Sequence, residues 1–66
     1  MKRYFVLFKR QKGQKTDAYS VVNEDTLNTI PKDIIKEVKE VPDTGIIEKA
    51  DCKRWVEELG GVWYGN

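Results

Sequence analysis

Side chains that usually carry enzymatic chemistry are scarce in this sequence of 66 residues. Histidine is absent, Ser20 is the only serine, and Cys52 is the only cysteine. A nucleophilic hydroxyl or thiol needs a neighbouring base, most often histidine, to reach its reactive form. A hydrolytic triad therefore cannot be assembled around either residue. The sequence predicts a protein that is not an enzyme and has no catalytic residues.

Acidic and glycine residues give no cofactor or metal signature either. No glycine-rich segment has the spacing of a phosphate-binding loop. Asp17, Glu24 and Asp25 lack the further oxygen ligands at regular spacing that a calcium loop supplies. Glu57 and Glu58 are adjacent on a predicted helix and point to different sides, which does not suit a shared acid–base site. We expect no cofactor, no metal and no small-molecule ligand.

Basic residues are concentrated near the N-terminus. Residues 1–16 carry a net charge of +6, and the rest of the chain carries −5, which leaves +1 overall. Such asymmetry is a feature of chains with a nucleic-acid partner, but solvated hairpin loops that discourage edge-to-edge strand pairing show it too. If nucleic acid is bound, we expect the contacts to come from Lys2, Arg3, Lys9, Arg10, Lys12 and Lys15.

Aromatic residues supply the second candidate surface. In a strand over residues 3–9, Tyr4, Val6 and Phe8 share one face and Phe5 and Leu7 share the other, so both faces are apolar. Each face then needs cover from this chain, a second copy or a partner. Large aromatics are also frequent binding residues, and Trp63 and Tyr64 lie next to each other in the last part of the sequence. The predicted protein contacts are Tyr4, Phe8, Trp63 and Tyr64.

Two strands and a helix are predicted in the first two thirds of the chain. Strands over residues 3–9 and 17–22 would form a hairpin, with Gly13 permitting positive φ in the basic loop. Residues 25–28 suit a short helical turn. The apolar positions Leu27, Ile30, Ile34, Val38 and Val41 then repeat with a helical period. This period predicts a helix from residue 29 or 30 that ends before Pro42.

The last third predicts two short strands around a helix. The strands cover residues 45–48 and 62–64. Asp51 is predicted to cap the helix, which ends at Gly60, since glycine adopts the left-handed conformation easily. Its apolar face contains Cys52, Trp55, Val56 and Leu59. We expect Cys52 and Trp55 to fill the core.

These elements predict one α+β domain over residues 1–66. It has a small antiparallel or mixed sheet, made of the N-terminal β-hairpin plus one or two short strands, packed with two helices. The apolar run at residues 4–8 is too short for a signal peptide, nothing approaches a membrane span, and one unpaired cysteine suits a reducing compartment. We therefore expect a cytoplasmic protein without a membrane partner.

The functional prediction is a small non-catalytic binding or regulatory protein. It acts through protein–protein contacts, with an unidentified protein partner or as a homodimer. The alternative is a nucleic-acid-binding protein that uses the basic hairpin. Protein contacts are favoured because the excess acid elsewhere in the chain would repel a long polyanion.

Overall fold

A three-stranded antiparallel sheet organises the protein in the computed structural model, which describes residues 2–63. The strands are β1 (Arg3–Phe8), β2 (Tyr19–Asn23) and β3 (Ile35–Val41), in the order β2-β1-β3. A short helix, α1 (Glu24–Leu27), follows β2, a single 3-10 turn (Lys32–Ile34) precedes β3, and α2 (Lys49–Glu58) comes last. This confirms the predicted α+β class and the N-terminal hairpin.

The central strand β1 is buried on both faces, which explains its continuous apolar sequence. Phe5 and Leu7 are fully buried on the face that α2 covers. Val6 is fully buried on the opposite face, beneath the segment that contains α1 and joins β2 to β3. The two-sided cover that the sequence requires therefore comes from the chain itself. Tyr4 and Phe8, on the Val6 face, are half-buried.

The main core lies between the sheet and α2. Trp55 packs edge-on against Phe5, with ring centroids 5.4 Å apart. Cys52 is buried beside them, so both residues occupy the core positions predicted for them. The buried cluster consists of Phe5, Leu7, Val41, Cys52, Trp55 and Val56.

The helix predicted from about residue 30 to Pro42 is wrong. This segment forms the 3-10 turn and the seven-residue strand β3. Ile34, Val38 and Val41 are spaced by four and three, which suits a helix. Their β-branched side chains favour a strand, and β1 needs a second neighbour to pair its backbone. Pairing with β1 decides the structure, with a bulge near the start of β3.

The predicted strand over residues 45–48 is also wrong, because this segment is a loop in which Gly45 has a φ of +87°. Val62 and Trp63 are not in a strand, and Tyr64 lies outside the described residues. The predicted helix end at Gly60 is confirmed, with a φ of +78°. The cap predicted at Asp51 is wrong, because α2 starts at Lys49 and its N-cap is Glu48, whose N–H donates to the Asp51 carboxylate at 3.1 Å.

No helix within residues 2–63 has both the length and the apolar character needed to cross a membrane.

Candidate functional site

The basic residues predicted to contact nucleic acid lie at two ends of β1. Lys2 and Arg3 stand at its start, and the hairpin loop with Lys9, Lys12 and Lys15 follows its end. A six-residue strand separates the two groups by about 20 Å, given a rise of about 3.3 Å per residue. The six positive charges therefore form two groups and not one continuous face.

Three of these six residues are engaged within the chain. Lys2 lies 3.7 Å from the Glu40 carboxylate. Arg3 donates from its guanidinium to the carbonyl oxygens of Pro42 at 2.8 Å and Gly45 at 3.2 Å, which ties the loop after β3 to the sheet. The third, Arg10, lies against the buried carboxylate of Asp17.

Asp17 joins three separate segments of the chain. Its side chain is fully enclosed, and Oδ1 lies 3.2 Å from Arg10 Nε. Oδ2 lies 3.6 Å from Lys36 Nζ and accepts a hydrogen bond from the Val62 N–H at 2.9 Å. We call Asp17, Arg10, Lys36 and Val62 the Asp17 cluster. It connects the hairpin loop, β3 and the segment after α2.

Electrostatics keep the Asp17 carboxyl ionised. Burial alone acts to raise its pKa, since a charged group is costly to desolvate. The hydrogen bond from Val62 and the charges of Lys36 and Arg10 outweigh burial, so the pKa is lowered below its ordinary value. A carboxylate paired in this way is a structural anchor.

Within residues 2–63 no group of three or more acidic, cysteine or histidine side chains is placed to hold a metal ion.

The aromatic candidates for protein contact differ in their surroundings. Tyr4 lies between Val22 and Glu40 on the neighbouring strands, and Phe8 lies opposite Ile35. Both are half-buried. Trp63 packs against the main core and against the ring of Tyr19, with centroids 5.7 Å apart. The described part of the chain does not bring these residues together into one surface.

A different surface, along β3, combines an open strand edge with exposed apolar side chains. Val38 is 38% exposed, and Ile34, just before β3, is 41% exposed. Beside Val38 lies a groove of about 280 Å³ between β3 and the segment that contains α1. We call the outer edge of β3 together with this groove the β3 edge surface; the groove is lined by Leu27, Asn28, Lys32, Ile35 and Val38.

The other sheet edge, at β2, is partly covered. Asp17 and Val62 hydrogen-bond through their backbones at 3.3 Å, which places the segment after α2 beside the start of β2. Asn23 ends β2 by capping α1, since its side chain accepts from the Thr26 N–H at 2.8 Å. No strand within residues 2–63 pairs with the outer edge of β3. The two edges of the sheet therefore differ in accessibility.

Sequence reasoning missed the β3 edge surface because it placed residues 30–41 in a helix. The available signal was the β-branched character of every apolar residue between Ile34 and Val41, which suits a strand better than a helix.

Comparison of the chain with protein-family models, with curated proteins and with solved structures found no match.

Proposed function

We propose that this chain is a small non-catalytic binding protein that acts through protein–protein contacts at the β3 edge surface. The observation that carries the proposal is the outer edge of β3, with which no strand in the described range 2–63 pairs, beside the half-exposed Val38. An open edge offers backbone donors and acceptors to an incoming strand, and adjacent apolar pockets select its side chains. The free, buried thiol of Cys52 supports placing this activity in the cytoplasm.

Nucleic-acid binding through the hairpin loop is the second candidate function. It is favoured by Lys9, Lys12 and Lys15, which are exposed and make no ion pair within the described part of the chain. Three cations make a small footprint, since affinity grows with the number of phosphates neutralised. The remaining basic candidates are engaged within the chain or lie at the far end of β1. Protein contact is therefore the better-supported function.

Capture from an extract of the source cells separates the two functions. The tagged parent chain is compared with Val38→Asp, which places a charge in the groove, and with Ala50→Asp. This control adds the same charge to an exposed position on α2. We expect a protein partner to be retained by the parent and by Ala50→Asp, to be lost with Val38→Asp, and to resist nuclease. Circular dichroism verifies that each variant is folded.

Two results would contradict this proposal. Capture that Val38→Asp leaves unchanged would exclude the β3 edge surface. Capture that disappears after nuclease treatment, and after joint replacement of Lys9, Lys12 and Lys15 by glutamine, would instead establish the nucleic-acid function. In that case binding to oligonucleotides should weaken steeply with salt, and the log–log slope should fall by about one for each phosphate contact removed.

A further inference from the structure

The direction of the backbone groups along β3 follows from the hydrogen bonds of β1. The Phe8 N–H donates to the Ala18 carbonyl at 2.9 Å, on the β2 side. Backbone groups alternate between the two neighbours of a strand, so Phe5 and the other odd-numbered residues of β1 bond to β3. Phe5 opposes Lys39. The N–H and C=O of Val38 therefore point to the open edge.

We propose that a second copy of this chain pairs with that edge. The two β3 strands run antiparallel, with Val38 of each copy opposite Val38 of the other, and the two three-stranded sheets join into one. The Val38 N–H of each copy donates to the Val38 carbonyl of the other. This inference rests on the proposed protein-binding function and names its partner.

The charges of β3 select this register. A two-fold axis in an antiparallel pair places one residue opposite itself. Within residues 36–40, an axis at Lys36, Glu37, Lys39 or Glu40 opposes two identical charges, which destabilises a sheet. An axis at Val38 opposes two valines and pairs Glu37 of each copy with Lys39 of the other. Among the registers with an axis within residues 36–40, the strand is thus complementary to itself in charge at this one alone.

The side chains involved are accessible for this pairing. Glu37 is exposed and makes no ion pair within residues 2–63. Lys39, on the same sheet face, lies 3.3 Å from Glu58 and is half-buried, so its ammonium is held at the sheet surface. Val38 lies on the opposite face at 38% exposure. Pairing removes it from water and makes the grooves of the two copies continuous.

Complementary charge reversals test the register. Glu37→Lys opposes two lysine pairs across the axis, and Lys39→Glu opposes two glutamate pairs. We expect each variant alone to dimerise about tenfold more weakly than the parent, because like charges then replace opposite ones. An equal mixture of the two variants restores every pair, and so does the double variant. Glu57→Lys and Lys53→Glu are the matched controls on the exposed side of α2.

Sedimentation velocity over a wide range of concentrations is the measurement, with circular dichroism to verify folding. The proposal is supported if the mass of the parent rises with concentration to twice the monomer mass and if each single variant dimerises more weakly. The mixture and the double variant must in addition recover the dimerisation of the parent. A parent that stays monomeric throughout, or single variants that dimerise like the parent, would overturn the proposal. If the parent is monomeric and Val38→Asp still abolishes capture of a protein partner, the second copy is excluded while the proposed function stands.

Discussion

Replacing Asp17 with asparagine should destabilise the fold more than any exposed acid-to-amide change. Asparagine keeps the shape and can still accept from the Val62 N–H, but it removes the charge that Arg10 and Lys36 face. It also introduces amide hydrogens into a site whose neighbours are themselves donors. The variant therefore isolates the carboxylate charge from the packing of the side chain.

The size of the expected loss in stability depends on how exposed the two cations are. Removing one partner of a fully buried ion pair costs about 3–5 kcal/mol, because the other charge is left without compensation. The side chains of Arg10 and Lys36 are 43% and 38% exposed, so both can recover hydration. We therefore expect Asp17→Asn to lower the free energy of unfolding by about 2–3 kcal/mol, less than the loss from a fully buried pair. Domains of 66 residues have a free energy of unfolding of roughly 3–10 kcal/mol, so this is a large fraction.

Urea denaturation followed by tryptophan fluorescence, from the buried Trp55 and the partly buried Trp63, measures the loss at neutral pH. A thermal scan should show a midpoint lower by roughly 10–20 °C, as small domains shift by about 4–8 °C per kcal/mol. Asp43→Asn is the matched control, since Asp43 is exposed and makes no ion pair within residues 2–63. The control should remain within about 0.5 kcal/mol of the parent.

The lowered pKa of Asp17 also predicts how the stability difference between the parent and Asp17→Asn changes with pH. The pKa of Asp17 is lowered in the folded state from its ordinary value of 3.8, so its stabilisation is fully present above pH 3.8. As the pH falls from 3.8 through the folded pKa, the carboxylate becomes protonated and the stabilisation is lost. The difference between the parent and Asp17→Asn should therefore shrink in this acidic window. A loss no larger than that of Asp43→Asn at neutral pH, or a difference that persists unchanged in acid, would refute the reasoning.

Two further predictions concern the core. Gly61→Ala should cost about 1–3 kcal/mol in urea denaturation, because the added Cβ would lie 2.9 Å from buried side chains of both β1 and α2; a variant as stable as the parent would contradict this packing. The Cys52 thiol should react slowly with a thiol reagent in the native state and quickly after unfolding, whereas Cys52→Ala should lower stability by about 1 kcal/mol and leave partner binding intact. Rapid native modification would exclude the buried position.

Local sequence was sufficient for the hairpin and for α2. An apolar run followed by Gly13 predicts the first strand and its loop, and the residues around Trp55 combine a helical apolar face with Gly60 at the end. In both cases the signals for an element and for its end lie within a few residues of each other. These elements can therefore be predicted from neighbouring residues.

The Asp17 cluster could not be predicted because its contacts are distant in sequence. Asp17 and Val62 are 45 residues apart, and no spacing rule connects an acid after a hairpin loop with an amide after a helix. The cluster also gives Arg10 a structural role that the sequence does not indicate. Sequence alone presents this residue as one of several free cations, whereas in the fold its charge faces a buried carboxylate.

The charge pattern of β3, on which the second-copy proposal depends, could not be recognised while residues 30–41 were predicted to form a helix. On a helix, residues two apart such as Glu37 and Lys39 lie on different sides, and the charges of this segment form only a polar face. On a strand the same two residues share a face, and Val38, which lies between them in the sequence, is on the other face. The charge pattern becomes self-complementary only in the extended conformation, and that conformation is set by pairing with β1. Pairing with the central strand thus creates the surface that we propose a second copy binds.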